Sequence, residues 1–414
     1  MKYDTIIIGG GLSGLVAGIA LAKQNKRVAI VSLGQSALHF SSGSFGLFGT
    51  DADGKAVEDP FSALAALPAS HPYAMLGADR VKELASTVKD FFAEAGISLR
   101  GENHRNSERL TPTGDFRRCW LTLDDFPTRD DLGKYKNVAI VSVLSYLDFY
   151  PDFIAAGLKK IGIESSVSYV TTAEIDRLRK SVAEMRATSL GRQLHGRALD
   201  DFAAAVAKAA GDADAILIPA VVGMDTDEPL RQLREKVGKP LYCVATTPMS
   251  VVGQRMQTQL RRRFERLGGT YMLGDTVSEG RISDAGELEY VRTVNFGEEK
   301  LVADNYILAT GSFFSRGVVA EPHRIYDPVF DLDVDVDGDR DKWFERNIFN
   351  EQPYMKFGVA VDKDFHPRKG GRTVKNLYAV GAVIGGHNAL KEGSGAATSI
   401  LTAMHVADII QKNK

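Results

Sequence analysis

A glycine turn close to the N-terminus is the first feature of this sequence that could do chemistry. Gly9, Gly11 and Gly14 follow a β-branched run at residues 4–8 and precede an apolar, alanine-rich stretch at residues 15–24. Three glycines at this spacing allow a tight turn, a close approach of backbone to a phosphate, and packing of a helix on a strand. The N–H groups and partial positive charge of the helix N-terminus then favour the phosphate. The spacing predicts a nucleotide site; the alternative is a turn in a parallel sheet that binds no ligand. The predicted site consists of Gly9, Gly10, Gly11, Leu12, Ser13 and Gly14.

The end of the second predicted strand departs from the usual dinucleotide pattern. An Asp or Glu about 20 residues after the glycines normally accepts hydrogen bonds from the adenosine ribose. Here the strand predicted at residues 27–31 is followed by Ser32 and Leu33, and no acidic residue occurs between Asp4 and Asp51. Either Ser32 and backbone groups hold a ribose weakly, or the ligand has no adenosine half. We place Ser32 and Leu33 in the predicted cofactor site.

Two later segments favour a flavin over a nicotinamide as the ligand. A predicted strand ends in Ala-Thr-Gly at residues 309–311, and the strand-like residues 376–381 are followed by a small-residue segment at 393–397. Flavoproteins with two dinucleotide-binding folds place such segments against the cofactor, and a helix beginning at the last segment would direct its positive end at the pyrimidine edge of the flavin. No glycines follow the strand predicted at residues 138–143, so a second site for NAD(P)H is not indicated. The cofactor prediction therefore also includes Val277, Thr310, Gly311, Gly381, Gly395 and Ala396.

Four distinctive runs, at residues 34–44, 69–73, 309–315 and 376–386, resemble those of one protein family. The sequence is similar over nearly its whole length to the B subunits of bacterial anaerobic glycerol-3-phosphate dehydrogenases. The resemblance implies a flavoprotein subunit of a complex that oxidises sn-glycerol 3-phosphate to dihydroxyacetone phosphate. Electrons would pass towards menaquinone in fumarate or nitrate respiration. The resemblance also implies FMN as the cofactor, with FAD as the alternative, and FMN agrees with the missing ribose acid.

The resemblance implies two partner proteins: a catalytic subunit that contains FAD, and an iron–sulfur subunit that attaches to the membrane. We therefore expect a peripheral location on the cytoplasmic side of the bacterial inner membrane, with no transmembrane segment, because no run of about 18 apolar residues occurs. Lys and Arg number 51 against 53 Asp and Glu, a net charge of −2 that argues against nucleic-acid binding. The two cysteines, Cys119 and Cys243, are too few for a cluster or structural zinc site, so no metal is predicted.

Candidate catalytic residues are fewer and rest on residue type and neighbourhood. By analogy with related flavoproteins, Ser41, Ser42 and Gly43 would lie along the path from the flavin phosphate to its ring, since hydroxyls and N–H groups suit the oxygens there. His39 is a candidate acid or base, or a polar residue that orients the loop. Arg255 and Arg324 are candidates for a phosphate or carboxylate, or members of salt-bridge networks.

The order of these segments predicts an α/β protein with a Rossmann-like, two-dinucleotide-binding flavoprotein fold. The flavin-binding domain would be discontinuous, residues 1–115 and 245–414, around an inserted second α/β domain at residues 116–244 that serves a substrate, a cap or partner docking. Two functions remain open at this point. The chain is either a redox-active flavoprotein subunit, or a non-catalytic scaffold that keeps a vestigial flavin fold.

Overall fold

Helices and strands mix along the chain, and strands predominate between residues 270 and 379. The computed structural model describes residues 2–182 and 184–413. Its α-helices are α1 (Leu12–Ala22), α2 (Pro72–Leu76), α3 (Ala78–Ala93), α4 (Arg129–Leu132), α5 (Pro151–Lys160), α6 (Ala173–Ser181), α7 (Ala187–Gln193), α8 (Gly196–Ala210), α9 (Glu228–Val237), α10 (Val251–Arg266), α11 (Ala389–Glu392) and α12 (Gly395–Lys412).

The strands range from two-residue pairs to seven-residue core strands. They are β1 (Lys2–Ile8), β2 (Val28–Ser32), β3 (Ser44–Phe45), β4 (Leu99–Arg100), β5 (Ser107–Leu110), β6 (Phe116–Cys119), β7 (Leu121–Leu123), β8 (Asn137–Val143), β9 (Glu164–Val170), β10 (Ala215–Pro219), β11 (Leu241–Val244), β12 (Thr270–Leu273), β13 (Val277–Ile282), β14 (Leu288–Thr293), β15 (Val302–Leu308), β16 (Val319–Ala320), β17 (Ile325–Tyr326), β18 (Val334–Asp335), β19 (Gly358–Val359), β20 (Arg368–Lys369), β21 (Arg372–Thr373) and β22 (Leu377–Ala379).

A five-stranded parallel sheet, ordered β12-β2-β1-β15-β22, joins the two ends of the chain. Its central strands are buried at Thr5–Ile8, Val28–Ser32 and Tyr306–Leu308, which are mostly Ile, Val, Ala and Leu. Such continuous apolar runs are typical of parallel strands covered on both faces. Helix α1 packs against β2 and against both α10 and α12, so the first and last helices form one layer of this sheet.

A second parallel sheet, ordered β11-β10-β8-β9, lies in the middle of the sequence. Its strand β8 is buried from Val138 onwards, and helices α5 and α8 pack against its strands. The strand predicted at residues 138–143 is therefore present as β8. The fold is the predicted α/β class with two separate parallel sheets.

The hairpin formed by β5 and β6 crosses the predicted domain boundary at residues 115 and 116. Strand β7 then pairs with both β3 and β4, which binds residues 121–123 to the N-terminal segment. These pairings favour a later start for the inserted unit, close to β8. We propose residues 137–244 for that unit and keep the discontinuous arrangement of the remainder.

Candidate functional site

The carboxyl ends of all five strands of the main sheet meet along one edge. Ile8 lies opposite Val31 on one side and Leu308 on the other, and Leu308 lies opposite Ala379. Leu273 completes the edge opposite Ser32. The crevice outside the carboxyl ends of parallel strands is where ligands bind in open α/β sheets. This register brings the predicted segments at residues 9–14, 32–33, 277, 309–311 and 381 to the same edge.

The three glycines of the turn have three different surroundings. Gly9 has a φ of +116°, and a Cβ there would lie 2.2 Å from the Ala309 carbonyl oxygen. A Cβ on Gly14 would lie 1.9 Å from the Gly9 carbonyl oxygen, so this glycine permits helix α1 to pack on the turn. A Cβ on Gly11, in contrast, would meet only the Ser36 Cβ at 3.8 Å. The space at Gly11 is the cradle that a phosphate needs.

The N-terminus of α1 faces this space without a side-chain cap. Gly11 is its N-cap residue, no acidic residue occupies the first turn, and Leu15 N–H makes the first bond within the helix, to Gly11 O at 2.9 Å. The amides of Leu12, Ser13 and Gly14 therefore have no partner in the helix. A helix end of this kind attracts a phosphate through its N–H groups and its dipole.

The corner beside β2 and β12 combines exposed apolar side chains with few polar groups. Leu33, which follows the buried strand β2, is 69% exposed, and Leu273, the last residue of the partly exposed strand β12, is 51% exposed. The Ser32 hydroxyl donates to Gly34 O at 3.2 Å. One carboxylate in this corner escaped the sequence prediction: Asp275, whose N–H donates to Ser32 O at 3.2 Å and whose Oδ2 is buried without a hydrogen-bond partner. Val277 follows as the buried first residue of β13.

Residues from the far end of the sequence complete the edge. Thr310 Oγ1 is buried without a hydrogen-bond partner, and Gly311 has a φ of +83°. Gly381 donates its N–H to Thr402 Oγ1 at 2.9 Å, and a Cβ on Gly381 would lie 2.6 Å from Ser13 Oγ. The start of α1 and the end of β22 are thus in contact although they lie at opposite ends of the sequence. An orphaned buried hydroxyl and an uncapped helix end fit a polar ligand at this edge.

The loop after the short 3-10 helix at Ala37–Phe40 leads from this edge to the start of α12. Ser41 Oγ accepts from Gly43 N–H at 3.2 Å, and Ser42 Oγ lies 2.9 Å from Ser44 Oγ. Gly46 packs against Gly393, because a Cβ there would lie 1.9 Å from the Gly393 carbonyl oxygen. This close approach brings the 41–46 loop to Gly395 and Ala396, and Ser42, Ser44, Gly395 and Ala396 line one cavity of about 430 Å³.

His39 lies at the start of the same loop, 9% exposed. Its Nδ1 is buried without a hydrogen-bond partner, and its backbone oxygen accepts from Ser250 N–H at 2.8 Å. Burial lowers the pKa of His39, and a hydrogen bond with Gln257 offsets part of this effect. The imidazole is therefore mostly neutral at pH 7, the form that a proton acceptor requires.

The two predicted catalytic arginines lie elsewhere, in structural ion pairs. Arg255 is 2% exposed; its Nη2 lies 2.5 Å from Asp125 Oδ2 and its Nη1 donates to Gly223 O at 3.1 Å. Arg324 is exposed beside β17 and pairs with Glu321 at 3.1 Å and Asp331 at 3.6 Å. Both guanidinium groups are engaged by protein carboxylates. The structure therefore favours the salt-bridge interpretation of these residues over substrate binding.

A histidine–carboxylate pair that the sequence prediction missed borders a cavity of about 880 Å³. His71 Nδ1 accepts from Tyr73 N–H at 3.0 Å, and its Nε2 lies 3.2 Å from Glu392 Oε2. Burial would raise the pKa of Glu392, but the hydrogen bonds from His71, Asn388 and Ser394 hold it at about 2. Residue types alone gave no signal here, because the pair joins positions 321 residues apart.

Comparison with known proteins shows which family this chain belongs to. Residues 4–398 match the family model described as FAD binding domain. The chain is 40% identical over 417 residues to the B subunit of the anaerobic glycerol-3-phosphate dehydrogenase of Yersinia pseudotuberculosis serotype I (strain IP32953), covering 99% of this chain and 98% of the relative. The chain belongs to this family of B subunits. The B subunits of Pectobacterium carotovorum subsp. carotovorum (strain PC1) and Actinobacillus pleuropneumoniae serotype 5b (strain L20) are 41% and 37% identical, over 420 and 429 residues, covering 100% of this chain and 99% and 100% of those relatives.

Membership of this family confirms the resemblance, the flavoprotein fold class and a flavin-dependent oxidoreductase. A flavin cofactor is supported, but FMN as the first choice is not, because the matching family is defined by FAD binding. The relatives are named as one subunit of a dehydrogenase, which indicates that they work in multi-subunit complexes. Among residues 2–182 and 184–413, no helix combines the length and apolarity that crossing a bilayer needs.

Proposed function

We propose that this chain is the FAD-binding redox subunit of a complex that oxidises sn-glycerol 3-phosphate to dihydroxyacetone phosphate. The observation that carries the proposal is the single parallel-sheet edge, at which residues from both ends of the chain surround the open space at Gly11. A protein that keeps this fold without binding a flavin does not require an uncapped helix end, a buried Thr310 hydroxyl without a hydrogen-bond partner and open space beside Gly11 at one place. The family supplies the substrate class.

FAD would lie along the edge from β12 to α12. Its pyrophosphate would accept hydrogen bonds from the amides at the start of α1, next to Gly11. The adenosine half would lie beside Leu33, Leu273 and Ser32, which offer apolar contact and a hydroxyl. The flavin half would extend towards the 41–46 loop and the N-terminus of α12, which lie close together because Gly46 packs against Gly393.

When bound, the flavin supplies the capacity to accept a hydride from the alcohol carbon. The chain's own contribution is to bind and orient the substrate and to receive the proton of its hydroxyl. We assign the proton acceptor to His39 Nδ1, because it is buried, unpaired and next to the 41–43 loop. The positive end of α12 would stabilise negative charge that develops at the nearby pyrimidine edge.

Electron transfer beyond the flavin requires partners. The two cysteines of the chain, Cys119 and Cys243, are both buried and free, too few for an iron–sulfur cluster. We propose that two further proteins complete the complex: a second catalytic subunit, which contains its own FAD, and an iron–sulfur subunit in the membrane. The iron–sulfur protein would pass electrons to menaquinone and hold this chain on the cytoplasmic side of the inner membrane.

The experiment is anaerobic addition of glycerol 3-phosphate to the purified complex, with the visible absorption of its flavin recorded. To separate the contribution of this chain's flavin from that of its partners, the same complex is prepared with Gly11→Leu in this chain. We expect the wild-type complex to lose its flavin absorption on addition of substrate, and the variant complex to contain less flavin and to reduce menaquinone more slowly. A variant complex with unchanged turnover would make this chain a scaffold and contradict the proposal.

A further inference from the structure

A cavity lined by three arginines lies between the β5–β6 hairpin, the 42–46 loop and the start of α12. Its volume is about 430 Å³, and Arg109, Arg117 and Arg118 line it together with Ser42, Ser44 and Ala396. No Asp or Glu of the described residues is among those that line it. Its balance of charge is therefore strongly positive, in a chain whose net charge is only −2.

Arg109 is the buried member of this group. The residue is 4% exposed; its Nη2 donates to Ser42 O at 2.5 Å and its Cζ lies 3.9 Å above the Phe126 ring. Its Nη1 is buried without a hydrogen-bond partner, and burial lowers its pKa to about 10. The nearby Asp125 carboxylate forms an ion pair with Arg255 instead, with 2.5 Å between Asp125 Oδ2 and Arg255 Nη2. A buried guanidinium without a carboxylate is costly, and a bound anion would remove that cost.

Arg117 and Arg118 add two further guanidinium groups without carboxylate partners. Arg117 lies directly opposite Arg109 in the hairpin, where like charges destabilise strand pairing. Arg117 donates to Leu390 O at 3.1 Å, and within the described residues neither Arg117 nor Arg118 forms an ion pair with a carboxylate. Other arginines around the hairpin are paired: Arg105 lies 3.0 Å from Asp130 and Arg129 lies 2.8 Å from Glu108.

The cavity adjoins the segments that we assign to the flavin half of the cofactor. Ser42 on one side and Gly395 and Ala396 on the other line both regions. Helix α12 begins at Gly395 and is 18 residues long, its N-cap residue Ser394 makes no side-chain cap, and its first turn contains no acidic residue. The Ala397 N–H donates to Gly46 O at 3.1 Å, and the first two N–H groups of the helix add to the attraction for an anion. An anion held here would leave its attached carbon atoms next to the flavin site.

We propose that this three-arginine cavity binds the phosphate group of the alcohol substrate, with Arg109, Arg117 and Arg118 as its cationic ligands. Guanidinium groups bind phosphate oxygens through paired N–H donors, which fixes orientation as well as affinity. Arg109 anchors the phosphate at the buried end, Arg117 lies directly opposite it on the same face of the hairpin, and Arg118, on the other face of β6, adds its charge at the rim of the cavity. This assignment rests on the proposed function, because it takes a phosphorylated alcohol as the substrate.

The test is calorimetric titration of the full-length, FAD-loaded chain with glycerol 3-phosphate, with glycerol and inorganic phosphate as separate probes. We expect glycerol 3-phosphate to bind, glycerol to give no binding at the same concentrations, and phosphate to compete. Arg117→Gln and Arg118→Gln should each weaken glycerol 3-phosphate binding at least tenfold. Arg105→Gln, the matched control with the same change of charge, should leave the affinity within twofold of wild type.

The same variants distinguish this proposal from the proposed function. The flavin content and flavin affinity of Arg117→Gln and Arg118→Gln should equal those of the wild type. If the wild-type chain holds FAD but binds no glycerol 3-phosphate, or if the control weakens binding as much as the two variants, the phosphate site is wrong while the flavoprotein assignment stands. If the variants change flavin affinity and leave glycerol 3-phosphate binding intact, the arginines serve the cofactor and the proposal is overturned.

Discussion

Replacing Gly11 by leucine should abolish flavin binding and leave the fold nearly unchanged. A Cβ at this position enters open space, with only the Ser36 Cβ at 3.8 Å, and the Gly11 φ of −81° is accessible to any residue. The cost to the protein itself is the exchange of an N-cap glycine for leucine, about 1 kcal/mol. The leucine side chain would occupy the space that we assign to the pyrophosphate, so the substitution should weaken cofactor binding much more than it lowers protein stability.

The expected magnitudes separate these two effects. At an FAD concentration of about 100 times the dissociation constant, ligand binding stabilises the wild type by about 2.7 kcal/mol. For a chain of 414 residues, an unfolding entropy of about 2.1 cal/mol/K per residue converts this into a rise in Tm of about 3 °C. Gly11→Leu should lose this rise completely, while its Tm without FAD falls by about 1 °C.

The assay is thermal unfolding with and without added FAD, together with the flavin content of each purified variant. Gly338→Leu is the matched control, because its Cβ also enters open space but lies outside the cofactor edge. Gly14→Ala should behave in the opposite way to Gly11→Leu: its Cβ would lie 1.9 Å from the Gly9 carbonyl oxygen, so it should destabilise the protein even without flavin. A Gly11→Leu protein with a full flavin complement would refute the reasoning.

Three further changes test other parts of the structure. Ser32→Glu should tighten FAD binding about tenfold and leave FMN binding unchanged, since a carboxylate accepts charge-assisted hydrogen bonds from the adenosine ribose; equal gains for both flavins in parallel titrations would count against it. Arg255→Met should lower the free energy of unfolding in urea by about 3–5 kcal/mol by leaving the Asp125 charge buried and unpaired, and adding Asp125→Leu should recover most of it; lost activity with unchanged stability would restore a catalytic role to Arg255. Glu392→Gln should lower stability by about 3 kcal/mol at pH 7, because the pKa of Glu392 is about 2 when folded against 4.5 when unfolded; this contribution is present above about pH 4.5 and is lost as the pH falls towards 2, so urea denaturation at pH 7 and pH 3 should show the gap to wild type closing.

Local patterns in the sequence were enough to predict which segments meet at the carboxyl edge of the main sheet. The glycine turn, the Ala-Thr-Gly strand end and the C-terminal strand are each recognisable from an apolar run followed by glycine or other small residues. Parallel pairing of β1, β15 and β22 then aligns their ends. Flavoproteins with two dinucleotide-binding folds place such segments side by side, so their convergence could be expected from the sequence.

The side-chain pairings across long sequence distances could not be predicted in the same way. Arg255 pairs with Asp125 across 130 residues, and His71 with Glu392 across 321. Nothing in the local sequence of Arg255 distinguishes a buried structural ion pair from a phosphate ligand, since both use the same guanidinium group. The arginines of the β5–β6 hairpin that line the cavity were missed for the same reason: their lack of a carboxylate partner is a property of the tertiary fold.

The central claim is that this chain holds FAD at the carboxyl edge of its main sheet. The most direct measurement is to purify the full-length chain, release its cofactor by denaturation, and identify and quantify that cofactor by mass spectrometry. We predict FAD, at a ratio close to one per chain in the wild type and close to zero in Gly11→Leu. Release of FMN alone, absence of any flavin from the wild type, or equal FAD content in the two proteins would contradict this claim.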